Sequence, residues 1–129
     1  MSLMILAHGG SWERRFQVSS LAASAVAEEE RVTVALFFAA LDAWAQGRWD
    51  ELDPDPPVSS DRLAKLDLPP LSGLLEDGRR RNMLRILACS ASVRILGLET
   101  RAVQERVDAI AGWSTFHRQL VQSKRVVTL

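Results

Sequence analysis

The chain has 129 residues, of which 47% are hydrophobic and 25% are charged, and its 16 basic side chains balance its 16 acidic ones. This composition is typical of a single soluble domain, and the zero net charge excludes the broad positive field with which many proteins bind nucleic acid or anionic membranes. A single cysteine forms no internal disulfide, so we expect a cytoplasmic protein in a reducing compartment.

The first part of the chain predicts strands and helices in alternation. The apolar run at residues 3–7 predicts a buried strand that ends in the loop at 8–11. Apolar residues then recur at helical spacing over 18–26. The β-branched and aromatic run at 32–38 predicts a second strand, and a second helix is expected over 39–46.

A proline-rich segment interrupts this alternation. All 5 prolines lie between residues 54 and 70, among several acidic side chains. We expect an irregular excursion over 47–70 that holds one short helix over 61–66, capped by Ser60. An excursion of this length is either a lid or contact surface, or a surface loop without a role, and both interpretations stay open.

The alternation resumes after the excursion. A helix over 72–81 leads into a buried strand over 83–88, and Cys89 follows directly. The remaining predicted elements are helices that follow Cys89, Thr100 and Ser114, and short strands over 108–112 and 125–129.

Strands and helices that alternate about five times predict a fold of the α/β class. We expect one domain over residues 1–129, built as a three-layer sandwich. Its centre is a five-stranded, mainly parallel sheet with helices on both faces, because parallel strands are joined by right-handed helical crossovers.

Cys89 is the leading candidate for a functional residue. It lies between a predicted strand and a predicted helix, at the edge of the sheet where α/β proteins usually bind their ligands. The free N–H groups and the dipole at a helix start would stabilise a thiolate there. A lone cysteine is also commonly a small buried core residue, so a structural role stands beside the reactive one.

Five other residues are candidates for the surroundings of this thiol. Ser90 caps the following helix and Ser92 donates a hydrogen bond to the sulfur, unless both only cap the helix. His8 follows the first strand and either assists proton transfer at the same edge or lies in a surface loop. Trp12 and Trp113 also follow predicted strand ends, where they either line a pocket around the cysteine or close the core.

Signatures of other sites are missing from the sequence. Gly9-Gly10 lacks the glycine spacing of a dinucleotide-binding turn and of a P-loop. His8 and His117 are far apart and no cysteine pair exists, so we expect neither a metal site nor a cofactor. The arginine triplet at 79–81 is expected to be a solvated helix end rather than a phosphate site.

The segment around the cysteine, residues 86–93, resembles the corresponding segment of the DsrE/DsrF/TusD-like family of small sulfur-relay proteins. Leu96-Gly97-Leu98 follows at the family's distance, and residues 112–116 resemble its later segment of a glycine turn and an aromatic residue. Two features depart from the family: residues 10–13 lack the aspartate often found there, and the excursion is longer.

The resemblance implies a five-stranded parallel α/β fold that assembles as homotrimers or homohexamers. It also implies that Cys89 carries a persulfide, accepting sulfur from one thiol protein and passing it to another. We therefore expect a sulfurtransferase-like relay protein whose partners are sulfur-donor and sulfur-acceptor thiol proteins, with no nucleic acid and no membrane among them.

Two rival functions come from other classes. The first is a non-catalytic oligomeric assembly or binding module in which Cys89 is only a packed core residue. The second is a thiol peroxidase or redox sensor, since a reactive cysteine is also oxidised to a sulfenic acid. The second rival is weakened because the chain holds no further cysteine to resolve that intermediate.

Overall fold

The two most apolar runs of the sequence form neighbouring strands at the centre of a parallel sheet. In the computed structural model, which describes residues 2–129, β1 (Ser2–Ala7) pairs in parallel with β2 (Arg31–Leu36). The other strands are β3 (Leu84–Cys89), β4 (Ala109–Ala111) and β5 (Arg125–Thr128). The strand order is β4-β3-β2-β1-β5 and every pair is parallel, which confirms the expected α/β class.

The strand order explains how the helices divide between the two faces of the sheet. From β1 to β4 the chain steps in one direction, and right-handed crossovers then place the connecting helices on one face. The connection from β4 to β5 runs back across the sheet and places its helix on the other face. The helices are α1 (Trp12–Ala27), α2 (Phe38–Ala45), α3 (Ser60–Ala64), α4 (Leu71–Arg80), α5 (Ser90–Ile95), α6 (Thr100–Gln104) and α7 (Trp113–Gln122).

Side-chain alternation along the strands produces one hydrophobic cluster on each face. The larger cluster, which includes Ile5, Val34 and Ile86, packs against the helices of the first face. The smaller one lies beneath α7 and consists of Met4, Leu6, Ala35, Phe37, Leu87, Cys89 and Phe116. Both faces are therefore covered by helices, as the three-layer prediction requires.

Several predicted element boundaries are wrong by one or two residues. The strand expected to extend to Phe38 ends at Leu36, and Phe38 instead begins α2 with a positive φ of 42°. The short helix in the excursion begins at Ser60 and is capped by Ser59, whose hydroxyl accepts a hydrogen bond from the N–H of Arg62. A serine one position earlier therefore satisfies the free N–H group at the helix start.

The first part of the excursion is held against α1 by Arg15, which is only 4% exposed. Its guanidinium donates to the carboxylate of Asp53 at 3.0 Å, and the other oxygen of this carboxylate accepts from the N–H of Trp12. Four backbone carbonyls complete its set of acceptors: those of Gly10, Arg48, Trp49 and Glu51. Residues 48–53 are therefore packed structure rather than a free loop.

The arginine triplet behaves as a solvated helix end, with one member engaged in the fold. Arg79 forms two hydrogen bonds to Asp108, at 3.0 and 3.1 Å, and Asp108 also accepts from the N–H of Ile86. Burial lowers the pKa of Arg79, but hydrogen bonds and charge from Asp108, together with Glu76, outweigh it and leave the pKa raised. Arg79 therefore stays charged at any physiological pH.

We expect Asp108→Ala to lower the free energy of unfolding by about 1–2 kcal/mol, because it removes three hydrogen bonds at a partly solvated site. Asp77→Ala is the matched control, since among the described residues this carboxylate pairs only with the exposed Arg80 and Arg81 at the end of the same helix. Urea unfolding of both variants checks the prediction, which is contradicted if the two variants lose the same stability.

Among residues 2–129, no helix is both long enough and apolar enough to cross a bilayer.

Candidate functional site

Cys89 lies at the carboxyl end of the sheet, as the sequence predicts, but its side chain is covered. It is the last residue of β3 and occupies the N-cap position of α5. Cys89 is 2% exposed and packs in the cluster beneath α7 with Phe37 and Phe116. In this conformation the sulfur is screened from solvent by apolar side chains.

Four rings form an aromatic cluster on the same face and at the same edge as Cys89. Phe37 is its centre: its ring stacks with that of His8 at 4.7 Å and with that of Trp113 at 5.2 Å. Phe116 packs against both Phe37 and Trp113, at 5.3 and 5.6 Å. Phe37 and Phe116 are buried, whereas His8 is exposed and Trp113 is 51% exposed. The cluster thus extends from the buried thiol to the surface.

The structure corrects both serine predictions. Cys89 rather than Ser90 occupies the N-cap position, and α5 has no side-chain capping bond. Ser90 is the first helical residue, and its hydroxyl lies beside Gly112, at the start of α7. Ser92 is fully buried, and its hydroxyl has no hydrogen-bond partner among residues 2–129, so the bond predicted to the sulfur is not formed.

The structure separates the two tryptophans that the sequence places after strand ends. Trp113 belongs to the aromatic cluster above Cys89. Trp12 packs against Phe16 at 5.4 Å and lines a cavity of about 310 Å³ beneath the excursion. Trp12 belongs to the larger cluster on the opposite face of the sheet, so it does not line a pocket around the cysteine.

His8 reaches the predicted edge and stacks on Phe37, which itself packs with Cys89. Its backbone N–H and that of Gly9 both donate to the carbonyl of Leu129, which fixes the loop after β1. Its imidazole lies in the aromatic cluster and forms no hydrogen bond to the thiol in the structure. A role for His8 in proton transfer therefore requires a rearrangement around the sulfur.

Two features of this edge escape sequence reasoning. Phe37 joins the histidine, the exposed tryptophan and the thiol, although it reads only as part of a strand. The glycine loop has a packing role: a Cβ on Gly10 would lie 2.6 Å from the Cβ of Ala39. For Phe37 the sequence does hold a signal: the alternation of side chains along β2, continued by one residue, puts Phe37 on the same face as Ala35. This predicts its neighbours only once the face beneath α7 is known.

A metal centre finds no support in the part of the chain that the structure describes. Residues 2–129 contain no group of three or more His, Cys, Asp or Glu side chains placed to hold an ion. At this edge the structure brings together one thiol, one imidazole and an aromatic surface.

Comparisons with known proteins identify the fold. The chain is similar to the solved structure of MTH1491, a protein of unknown function from Methanobacterium thermoautotrophicum, with a TM-score of 0.67. The two sequences are 14% identical, and the superposition covers 99% of this chain and 98% of the other. This likeness shows the fold alone. No protein-family model matches the chain, and no curated protein matches it either.

Proposed function

We propose that the protein is a sulfurtransferase-like relay protein that carries a persulfide on Cys89. The observation that carries the proposal is the position of this thiol, which ends a central strand at the carboxyl edge of a parallel sheet. The resemblance of residues 86–93 to the sulfur-relay family adds support. The proposal places the protein in the cytoplasm, where the thiol stays reduced between cycles.

The reaction is a transfer of sulfane sulfur without net oxidation. The thiolate of Cys89 attacks the outer sulfur of a donor persulfide, the donor S–S bond breaks, and the donor leaves as a thiolate with the bonding electron pair. The thiolate of an acceptor protein then attacks the outer sulfur on Cys89, and the Cys89 thiolate leaves. The partners are therefore a persulfide-bearing donor protein and an acceptor thiol protein.

Sulfur transfer requires the thiol to be exposed, at least transiently. Part of the cover over Cys89 comes from the first half of α7, because Phe116 is fully buried in the same cluster as the thiol and the neighbouring Trp113 is half exposed. A displacement of this helix would open the small cluster and leave the larger cluster on the other face intact. We infer that binding of a donor or acceptor, or assembly into a homotrimer or homohexamer, produces that displacement.

A second function is favoured by the 2% exposure of Cys89: a non-catalytic oligomeric binding module in which the cysteine only packs. Apolar side chains on the outer surface of α7 fit such a role, since Trp113 is 51% exposed and Val121 is 73% exposed. In this function the thiol contributes to stability, and replacing it by alanine leaves assembly unchanged.

Intact-protein mass spectrometry after treatment with a low-molecular-weight persulfide distinguishes the two functions. We expect the wild-type chain to gain one sulfur atom that a reductant removes, and the Cys89→Ser variant to gain none. Cys89→Ala is a second control, because it keeps an apolar group in the cluster and is expected to fold. An unmodified wild type whose native thiol also resists iodoacetamide would overturn the carrier proposal in favour of the binding module.

A further inference from the structure

On β2 and β3, the face of the sheet beneath α7 is apolar only in its carboxyl half. On β2 and β3, side chains alternate so that Arg31, Thr33 and Arg85 share the face of Ala35, Leu87 and Cys89. Arg31 and Arg85 are exposed and Thr33 is partly exposed, whereas the apolar members are buried. The same face therefore carries a thiol at one end and two arginines at the other.

A cavity of about 330 Å³ lies at the arginine end, between the sheet and the last turns of α7. Its volume is at the lower end of the range for small-molecule sites. Arg31 and Arg85 line it together with the side-chain amides of Asn82, Gln119 and Gln122. None of the described residues that line the cavity is acidic.

The two guanidinium groups are not neutralised by the part of the chain that the structure describes. Within residues 2–129, Arg85 forms neither an ion pair nor a side-chain hydrogen bond, and Arg31 donates only to the backbone carbonyl of Asn82. Thr33 is the register partner of Arg85, so the Cα atoms of the two arginines are about 8 Å apart. At that separation both side chains can reach one ligand group.

Other groups at this end of the sheet do not cancel the charge. Glu29 and Arg81 line an adjoining cavity that shares Arg31, and Glu29 forms no ion pair with it. The side-chain oxygen of Gln119 is buried without a hydrogen-bond partner among residues 2–129, but an amide oxygen only accepts, so the two guanidinium groups carry the contacts to an oxyanion. The cavity therefore keeps its positive charge.

We propose that this cavity binds the oxyanionic group, phosphate or carboxylate, of a small molecule through Arg31 and Arg85. Planar guanidinium groups match both kinds of oxyanion with paired hydrogen bonds, and partial enclosure strengthens charged contacts. The site is independent of Cys89, because the buried layer of Ala35 and Leu87 lies between the two.

An NMR titration tests the proposal. The ¹⁵N-labelled chain is titrated with inorganic phosphate, and separately with succinate, at constant ionic strength. We expect saturable shifts of the backbone amides at Thr33, Arg85 and Gln119, and the anion that binds more tightly identifies the class of ligand. Arg85→Gln should weaken that binding by about tenfold or more, and Arg85→Lys should weaken it less.

Arg94→Gln is the matched control, because it removes the same charge from an exposed position on α5, at the opposite end of the sheet. It should bind the anion as the wild type does. The proposal is overturned if neither anion gives saturable shifts, if the shifts map elsewhere, or if Arg85→Gln and Arg94→Gln bind equally. Since Cys89 takes no part, these outcomes are separate from those of the persulfide experiment.

Discussion

Replacing Arg15 by methionine is expected to lower the free energy of unfolding by about 3–5 kcal/mol, the usual cost of removing one partner from a buried charged network. Arg15 is 4% exposed and donates to the carboxylate of Asp53, to the backbone carbonyl of Gly10 and to three backbone carbonyls within residues 48–51. Methionine keeps most of the side-chain volume but supplies no hydrogen-bond donor. The backbone carbonyls therefore lose their donor at a site that solvent reaches poorly.

Urea unfolding measures this loss, and limited proteolysis localises it. We expect cleavage within residues 48–53 of Arg15→Met under conditions in which the wild type is resistant, because this segment loses its contacts with α1. Arg15→Lys should fall between the two, since an ammonium group has three donors and lacks the planar fork.

The neighbouring Arg14 supplies the control, because it is exposed and forms no ion pair with any described residue. Arg14→Met should change stability by less than about 0.5 kcal/mol. If Arg15→Met were as stable as Arg14→Met, the excursion would have to be held by its apolar contacts alone, such as those of the buried Trp49.

The anchoring by Arg15 also shows why the excursion was beyond sequence reasoning. The prolines correctly predict irregular structure, but they carry no information about which distant group accepts or donates hydrogen bonds. Arg15 lies at a position that reads only as part of an amphipathic helix, and its acceptors lie at least 33 positions away, apart from Gly10. Buried polar networks of this kind depend on tertiary structure.

The strands, in contrast, were predictable because their signal is local. The apolar run that became β1 is continuous, as expected for a parallel strand that is covered on both faces, and the run that became β3 is interrupted only by the exposed Arg85. The β2 run was predicted two residues too long, because Phe37 and Phe38 favour a strand by propensity, whereas the chain already turns into α2 there. Propensity identifies an element better than it identifies its end.

The candidate site was predictable to the level of the sheet edge and no further. The order of strand, cysteine and helix correctly places Cys89 at the carboxyl edge. The neighbours of the sulfur depend on the face of the sheet to which the Cys89 side chain points. That face is set by the strand register, and its cover is set by the crossing of α7. The structure places Trp113 in the aromatic cluster that extends to Cys89, and it places Trp12 in the hydrophobic cluster on the other face.

Phe116→Ala tests whether α7 controls access to the thiol. Phe116 is fully buried in the small cluster with Cys89, and its truncation is expected to cost about 3–5 kcal/mol in stability. The cavity that remains lies beside the sulfur, so we also expect iodoacetamide to modify Cys89 faster than in the wild type. Alkylation rates under native conditions, followed by intact mass, measure this effect.

Leu75→Ala separates local access from general destabilisation. Leu75 is also fully buried, but it belongs to the larger cluster on the opposite face of the sheet. Its truncation is expected to lower the free energy of unfolding by a comparable amount, about 2–5 kcal/mol. If global unfolding alone exposes the thiol, the two variants will show equal alkylation rates once their stabilities are matched with urea. A faster rate in Phe116→Ala at equal stability would mean that local displacement of α7 exposes the sulfur, which is the motion that a persulfide carrier with a buried cysteine requires.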